Sequence, residues 1–170
     1  MTSVFFVRHA QPDQTCRDDR TRPLTPVGLK DSLLVTEALA NAKIDMFYSS
    51  PYKRSVDTIL DCADKRNMTI HTDERFRERV GGIRGGEFLE KRWEDFSFCE
   101  ENGENLASVQ KRTTEALAEI LERHPGQSVV IGTHGTALSM ILNFYDSTFS
   151  CDGFKRIWYS MPYIMKLDFE

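Results

Sequence analysis

VFFVRHAQP, residues 4–12, runs four apolar residues straight into an arginine and a histidine. Val4 to Val7 shows no alternation of apolar and polar positions, the pattern of a short strand covered on both faces. The polar residues after Val7 are either the ordinary end of a strand, or a pair, Arg8 and His9, aimed from its carboxyl end at a ligand. The pattern recurs. In DMFYSSP, residues 45–51, a brief strand at Met46 to Tyr48 meets a serine cap (Ser49 or Ser50) and Pro51 at a helix start. In SVVIGTHG, residues 128–135, another buried strand reaches His134, Gly135 and a helix start.

Between these strands the periodicity is helical. Thr25 is a cap residue ahead of Pro26, and Leu29, Leu33, Leu34 and Leu39 predict an apolar face on a helix reaching about Ala42. A second helix after Pro51 turns Val56, Ile59, Leu60 and Ala63 inward, and residues 68–73, MTIHTD, read as one more short strand. Asn105 caps a long helix with Leu106, Val109, Leu117, Ile120 and Leu121 on one face, stopped at His124-Pro125-Gly126. Leu138, Ile141 and Leu142 mark the helix after His134, and two closing segments, residues 154–159 and 163–169, read as strands. Residues 79–104, rich in glycine and charge, predict an irregular excursion that Trp93, Phe96 and Phe98 pin to the body. Strand and helix alternate, so the expected fold is α/β with three layers: a mostly parallel, mixed central sheet flanked by helices. The 170 residues suit one domain, with 79–104 as a small cap insertion over the site.

Composition narrows the function classes. Lys and Arg number 22 against 26 Asp and Glu, a net charge of −4 without a basic run, which argues against a nucleic-acid partner. Cys16, Cys62, Cys99 and Cys151 are widely spaced, so neither a disulfide framework nor a zinc knuckle is expected, and the thiols fit a reducing compartment. MTSVFFVRHA lacks the basic start of a signal peptide, and no window approaches the roughly 20 apolar residues of a membrane span. The expectation is a cytoplasmic protein with no membrane partner.

In open α/β sheets, ligands collect at the carboxyl ends of the strands. Arg8 and His9 follow the first strand, Arg54 lies early in the helix after the second, and His134 follows VVIGT. A phosphoryl group in transfer spreads negative charge over its oxygens, which preorganised cations and donors stabilise. Arginine offers a planar fork that holds two oxygens together, and helix N-termini add backbone N–H donors. A nucleophilic imidazole must be neutral; flanking arginines disfavour its protonated form, and a bond from its other nitrogen fixes the tautomer. Singly, each residue has a plainer reading: His9 as a structural histidine, His134 as the cap of its helix, Arg54 as a solvated helix arginine. His71 and His124 read as surface or turn residues.

VRHA with PLTPVG, then YSSPYKRSVDT, GENLASVQKR and VVIGTHGTAL resembles, in order from Val4 to Leu138, the histidine phosphatase superfamily, also called phosphoglycerate mutase-like. The short chain resembles its stand-alone phosphatase type. The resemblance implies that His9 accepts the phosphoryl group, that Arg8, Arg54 and His134 form the phosphate pocket, and that no metal or other cofactor is needed. His134 thereby counts among both the catalytic and the binding residues. Hydrolysis then takes two displacements, with water removing the phosphoryl group from His9. The family's proton donor precedes glycines four and eight positions on, a register met by Glu78, Gly82 and Gly86; Glu74, out of register, is the alternative. Thr15 stands where the family has an asparagine that contacts phosphate, and Arg84-Gly85 replace a Trp-Glu pair at the rim.

The implied substrate is a small-molecule phosphomonoester or a phosphoprotein; the physiological substrate and the oligomeric state stay open. Arg75, Arg77, Arg79 and Arg84 either form a solvated face balanced by Glu87, Glu90, Glu94 and Asp95, or hold a second anionic group of the substrate. The excursion is short beside the cover of a mutase, which favours hydrolysis. Mutase-type phosphoryl transfer, and a catalytically weak module that binds phosphorylated ligands or phosphoproteins, are the alternatives.

Overall fold

A computed structural model describes residues 1–170, Gly85 without its surroundings. In chain order the elements are β1 (Thr2–Arg8), α1 (Pro26–Ala38), β2 (Met46–Ser49), α2 (Lys53–Asp64), β3 (Ile70–Thr72), α3 (Leu89–Glu94), α4 (Leu106–Arg123), β4 (Ser128–Thr133), α5 (Gly135–Tyr145), α6 (Cys151–Trp158) and β5 (Tyr163–Phe169). Short 3-10 turns at Glu74–Phe76 and Gly85–Phe88 lie between β3 and α3.

The sheet order is β3-β2-β4-β1-β5, parallel throughout except for β5, which runs antiparallel to β1. Alternation hidden inside the apolar runs sorts side chains to the two faces. Val4, Phe6, Val129 and Ile131 pack with residues of α4, α5 and α6, among them Leu117, Ile120, Leu138, Ile141 and Ile157. Val7, Phe47 and Val130 face Val35, Leu39, Ile59, Cys62 and Ala63 on the α1–α2 side. The result is the expected three-layer α/β architecture. Each fully buried Val, Leu, Ile or Phe side chain contributes about 1.5–3 kcal/mol of transfer free energy.

The register brings the functional ends together. Arg8 lies opposite Thr133, and Ser49 opposite both Gly132 and Thr72, so the four parallel strands end along one edge. Two of the expected caps are in place: Thr25 Oγ1 accepts the Gly28 N–H at 3.0 Å, and Asn105 Oδ1 the Ser108 N–H at 2.8 Å. α2 instead starts at Lys53, past the serines, with Tyr52 at its cap position; the Ser50 hydroxyl accepts the Tyr52 N–H at 3.2 Å.

Two expectations from apolar spacing are corrected. α1 buries Gly28, Ser32, Val35 and Thr36, while Leu29, Leu33 and Leu34 stay 53%, 42% and 52% exposed. Its rotation is set elsewhere: a Cβ on Gly28 would collide with the Gln11 carbonyl oxygen, and the Thr36 hydroxyl donates to Asp61 of α2 at 2.7 Å. α1 also stops at Ala38, short of Ala42, and Leu60 on α2 points outward. The second correction concerns residues 154–159, which belong to α6 and the residue after it rather than to a strand. Gly153, Phe154 and Ile157 are its buried face, a spacing that fits the helical period. Trp93 and Phe96 pack beside Leu106, Val109, Ala137 and Met140, which ties the excursion to the body as expected, whereas Phe98 instead meets Phe88 and Lys91 within the excursion. Among the described residues no helix is long and apolar enough to cross a membrane.

Candidate active site

The β1–β4 pairing continues one residue past Arg8: the His9 N–H donates to the Thr133 carbonyl at 3.2 Å. That bond seats a buried imidazole at the strand's end. His9 Nδ1 lies 2.7 Å from the Ala10 carbonyl oxygen, so Nδ1 carries the proton and Nε2 presents a lone pair. Arg54 Nε donates to that Nε2 at 3.3 Å, and the His134 ring meets the His9 ring edge-on, 5.2 Å between centroids. Burial, joined by the guanidiniums of Arg54, Arg8 and Arg22, pulls the His9 pKa down to about 3 against the opposing effect of the Ala10 bond. His134 is completely buried, and burial, then His9 and Arg54, hold its pKa well below the ordinary value. Both imidazoles are neutral at working pH.

The arginines are fixed from behind. Arg54 donates to the Asp19 carbonyl at 2.5 Å, pairs with the Asp19 carboxylate at 3.1 Å, and lies 5.2 Å from the Tyr52 ring centroid. Arg8 donates through one terminal nitrogen to the carbonyls of Ile157, Trp158 and Ser160, and its guanidinium lies over the Trp158 ring. Burial lowers the Arg8 pKa to about 10, with Glu78 opposing and Arg54 assisting, so Arg8 stays charged at neutral pH. Two buried polar atoms here have no hydrogen-bond partner, Arg8 Nε and His134 Nδ1. A Cβ on Gly135 would lie 3.3 Å from that Arg8 Nε, so glycine is what lets the guanidinium lie close over the start of α5.

Glu78 closes the other side. Its carboxylate accepts the N–H groups of Thr136 at 3.1 Å, Ala137 at 3.2 Å and Arg79 at 2.8 Å, and so caps α5. His134 occupies the cap position without capping; its Nε2 pairs with the Ser50 hydroxyl at 2.8 Å. Arg8, His9, Arg54, Glu78 and Thr136 line one open cavity of about 1060 Å³, with His134 just beneath its floor. Gly82 and Gly86 of the Glu78 register line it too, and a Cβ on Gly82 would collide with the Glu101 carbonyl oxygen.

Other candidates are placed elsewhere. Glu74 is exposed, ion-paired with Arg20 and outside the cavity. Thr15 is also outside, because Asp13 Oδ1 takes both its N–H at 2.9 Å and its hydroxyl at 2.7 Å; Gln14 lines the cavity instead. Of the four arginines near Glu78, only Arg79 reaches the cavity, held by Glu100 at 2.7 Å. Arg75 pairs with Asp73 and Glu119, Arg77 with Glu104, and Arg84 with Glu87. Of the acids expected to balance this face, Glu90 instead pairs with Lys155. Arg84 is exposed and outside this cavity, and the surroundings of Gly85 lie outside the described residues. His71 is exposed, and His124 ends α4, bonded to Tyr48 and Gln127.

Several supporting residues carry no clear mark in the sequence. Asp19, Ser50 and Tyr52 hold or contact Arg54 and His134, and the last two stand inside YSSPYKRSVDT, where their polarity reads only as helix-start chemistry. Trp158 and Tyr159 at the end of α6 line the cavity. No local signal marks them when that segment is taken for a strand.

Fold and relatives together define the class of this chain as a phosphatase. Residues 4–168 match the family model of the histidine phosphatase superfamily (branch 1), and the chain belongs to that family. It is 33% identical over 150 residues to phosphoserine phosphatase 1 of Hydrogenobacter thermophilus, covering 79% of this chain and 71% of that one. It is 27% identical over 164 residues to probable phosphoglycerate mutase GpmB of Yersinia pestis, covering 84% and 74%. Among solved structures, Bacillus stearothermophilus YhfR superposes with a TM-score of 0.78 at 23% identity, over 100% of this chain and 92% of that one. A mutant phosphoserine phosphatase of Entamoeba histolytica in complex with phosphoserine gives 0.78 at 19% identity, over 100% and 92%. At those identities the structures speak for the fold.

Proposed function

We propose that this chain hydrolyses small phosphomonoesters through a phosphohistidine on His9, with Glu78 as proton donor. The observation that carries the reading is the state of His9: a neutral imidazole, its Nδ1 proton committed to Ala10, its Nε2 lone pair set against Arg54. The unpaired Arg8 Nε and His134 Nδ1 lie buried just behind this point. With the Ser50 hydroxyl donating to His134 Nε2, Nδ1 holds the proton it would give to a phosphoryl oxygen.

In the first displacement His9 Nε2 attacks phosphorus, the bond to the ester oxygen breaks, and the departing oxygen takes the proton from Glu78. In the second, water attacks phosphorus and gives a proton to the Glu78 carboxylate, and the phosphorus–nitrogen bond breaks to release phosphate. Glu78 accepts three backbone N–H groups, which fix its carboxyl group at the wall of the cavity that holds His9. The two guanidiniums supply charge compensation that a metal provides elsewhere, and turnover is expected to survive a chelator. Residues 79–104 serve as a small cap on one domain spanning the chain. The names of the relatives favour a phosphorylated three-carbon acid such as phosphoserine as substrate, and the scattered thiols fit a cytoplasmic setting.

Rapid quench with radiolabelled phosphoserine tests this reading. Label should appear on the protein in an acid-labile, base-stable form and be missing from His9→Ala. Turnover undiminished in His9→Ala would overturn it. Isomerisation of a phosphoglycerate by the wild type would shift the reading to phosphoryl transfer.

A further inference from the structure

Glu104 and Arg112, the charged residues nearest the two ends of GENLASVQKR, have no part in the chemistry above, yet they meet beneath Glu78. Arg112 Nε and one terminal nitrogen donate to the two Glu104 carboxylate oxygens at 2.8 and 3.0 Å. Its other terminal nitrogen donates to the carbonyls of Arg75 at 2.6 Å and Arg77 at 2.8 Å, and the terminal nitrogen that holds Glu104 adds a longer bond of 3.3 Å to the carbonyl of Glu78. Arg77 gives Glu78 a second carbonyl bond at 2.9 Å and binds Glu104 at 2.8 Å. On the far side of Glu78, the Val80 N–H donates to Glu104 at 3.2 Å, and the Glu104 N–H donates to the Val80 carbonyl at 3.0 Å.

Resting on the assignment of Glu78 as proton donor, we propose that Arg112, held by Glu104, is the positioning residue that sets where the Glu78 carboxyl meets the leaving group. The main chain is pinned at residues 75, 77, 78 and 80, and the carboxylate is pinned to α5. Both anchors belong to one body, because Leu106 and Val109 of α4 pack against Ala137 and Met140 of α5. Burial works against the charge of Glu104, but hydrogen bonds from Arg112 and Arg77 outweigh it and bring its pKa to about 2. The clamp is therefore ionised at every working pH. A general acid works only within hydrogen-bond reach of the departing oxygen, so a small shift of this segment falls on proton donation and spares the nucleophile.

Leaving-group dependence separates positioning from mere stability. p-Nitrophenoxide departs without a proton, whereas the alkoxide of phosphoserine needs one. Single-turnover phosphorylation rates and kcat/KM are measured on both substrates for wild type, Glu78→Gln, Arg112→Met, Arg112→Lys and the double variant Glu78→Gln/Arg112→Met. Glu78→Gln should lose about 10²-fold or more on phosphoserine and less than about 5-fold on p-nitrophenyl phosphate. Arg112→Met should show the same bias at about 10-fold, with Arg112→Lys recovering part of the loss. In the double variant the Arg112 substitution should cost nothing further on phosphoserine. Equal losses on the two substrates, or additive losses in the double variant, would overturn the proposal. If Glu78→Gln itself lacks the bias, the assignment of the acid falls and this inference falls with it. Should Arg112→Met fail to fold, Glu104→Gln must show the bias, and its absence there counts against the proposal equally.

Discussion

The floor and the rim of this cavity are built by different means. Arg8, His9 and His134 stand at strand ends, the β1–β4 ladder places them through main-chain bonds, and Arg54 joins this floor from the start of α2 through its bond to His9. Among the described residues, 74–104 make no strand pairing; arginine–carboxylate pairs hold them, together with the packing of Trp93 and Phe96 and a few main-chain bonds. Arg77 and Arg112 share Glu104, Arg79 and Arg92 share Glu100, and Arg75 joins Asp73 to Glu119. The floor therefore carries neutral, desolvated imidazoles beside buried arginine charge, and the rim carries charges whose geometry depends on their carboxylate partners. Changes to the floor should act on chemistry, and changes to the rim on placement and stability.

The largest effect expected is on the floor. His9→Ala should lower kcat by about 10⁴-fold or more, since removing a nucleophile leaves only binding and electrostatic catalysis. Arg54→Met should cost about 10²–10³-fold, the range for loss of one preorganised donor to a developing oxyanion. Steady-state rates on phosphoserine check both, and an Arg54→Met loss below tenfold would remove that arginine from the floor.

On the rim, Glu100 is the test. Its side chain is 1% exposed, and one of its oxygens meets both Arg79 and Arg92 at 2.7 and 3.3 Å. Burial opposes its charge, yet bonds from Arg79 and the Gly82 N–H bring its pKa to about 2. Glu100→Gln leaves two buried guanidiniums without their shared anion and should cost about 3 kcal/mol of stability, read from urea unfolding. Rates at saturating substrate should change less than with Arg54→Met. A fully active variant of unchanged stability would show the rim to be held by something other than its ion pairs.

pH distinguishes the two regions again. The unfolded chain binds a proton on His9 below 6.5, and the folded chain does not until about 3, so this contribution is complete above 6.5 and is lost as pH falls. Its slope is about 1.4 kcal/mol per pH unit, and His134 adds to it in the same direction. The rim carboxylates, held at about 2 against an ordinary 4.5, keep their full contribution down to about pH 4.5 and lose it only as pH falls further. Urea midpoints between about pH 6.5 and 5 therefore report the floor, and His9→Asn should make their decline shallower. An unchanged decline in His9→Asn would mean that the imidazole is already protonated in the folded state.

The same contrast explains what is legible in the sequence. Arg8, His9 and His134 can be read there because the strand and its terminal residues are contiguous, and Gly135 and Thr25 mark local helix chemistry. The pairs of the rim join residues such as Arg79 and Glu100, or Arg75 and Glu119, whose partnership has no local signature. α6 passes for a strand because Phe154, Ile157 and Trp158 suit more than one period over so short a span. Thr15 owes its assignment to a family position, and Asp13 two residues away has the stronger claim on it.

The smallest effect tests the remaining misreading, the face of α1. Apolar spacing puts Leu33 in the core, but a glycine against Gln11 and a threonine bonded to Asp61 turn the helix so that Ser32, Val35 and Thr36 go inside. Leu33→Lys should therefore change stability by no more than about 0.5 kcal/mol. Val35→Ala, only two residues on, should cost about 2 kcal/mol because Val35 is fully buried. The two variants compared in urea give opposite orders for the two rotations of α1. If Leu33→Lys is the costlier, the leucines form the core face, and the contacts of Gly28 and Thr36 do not set the helix.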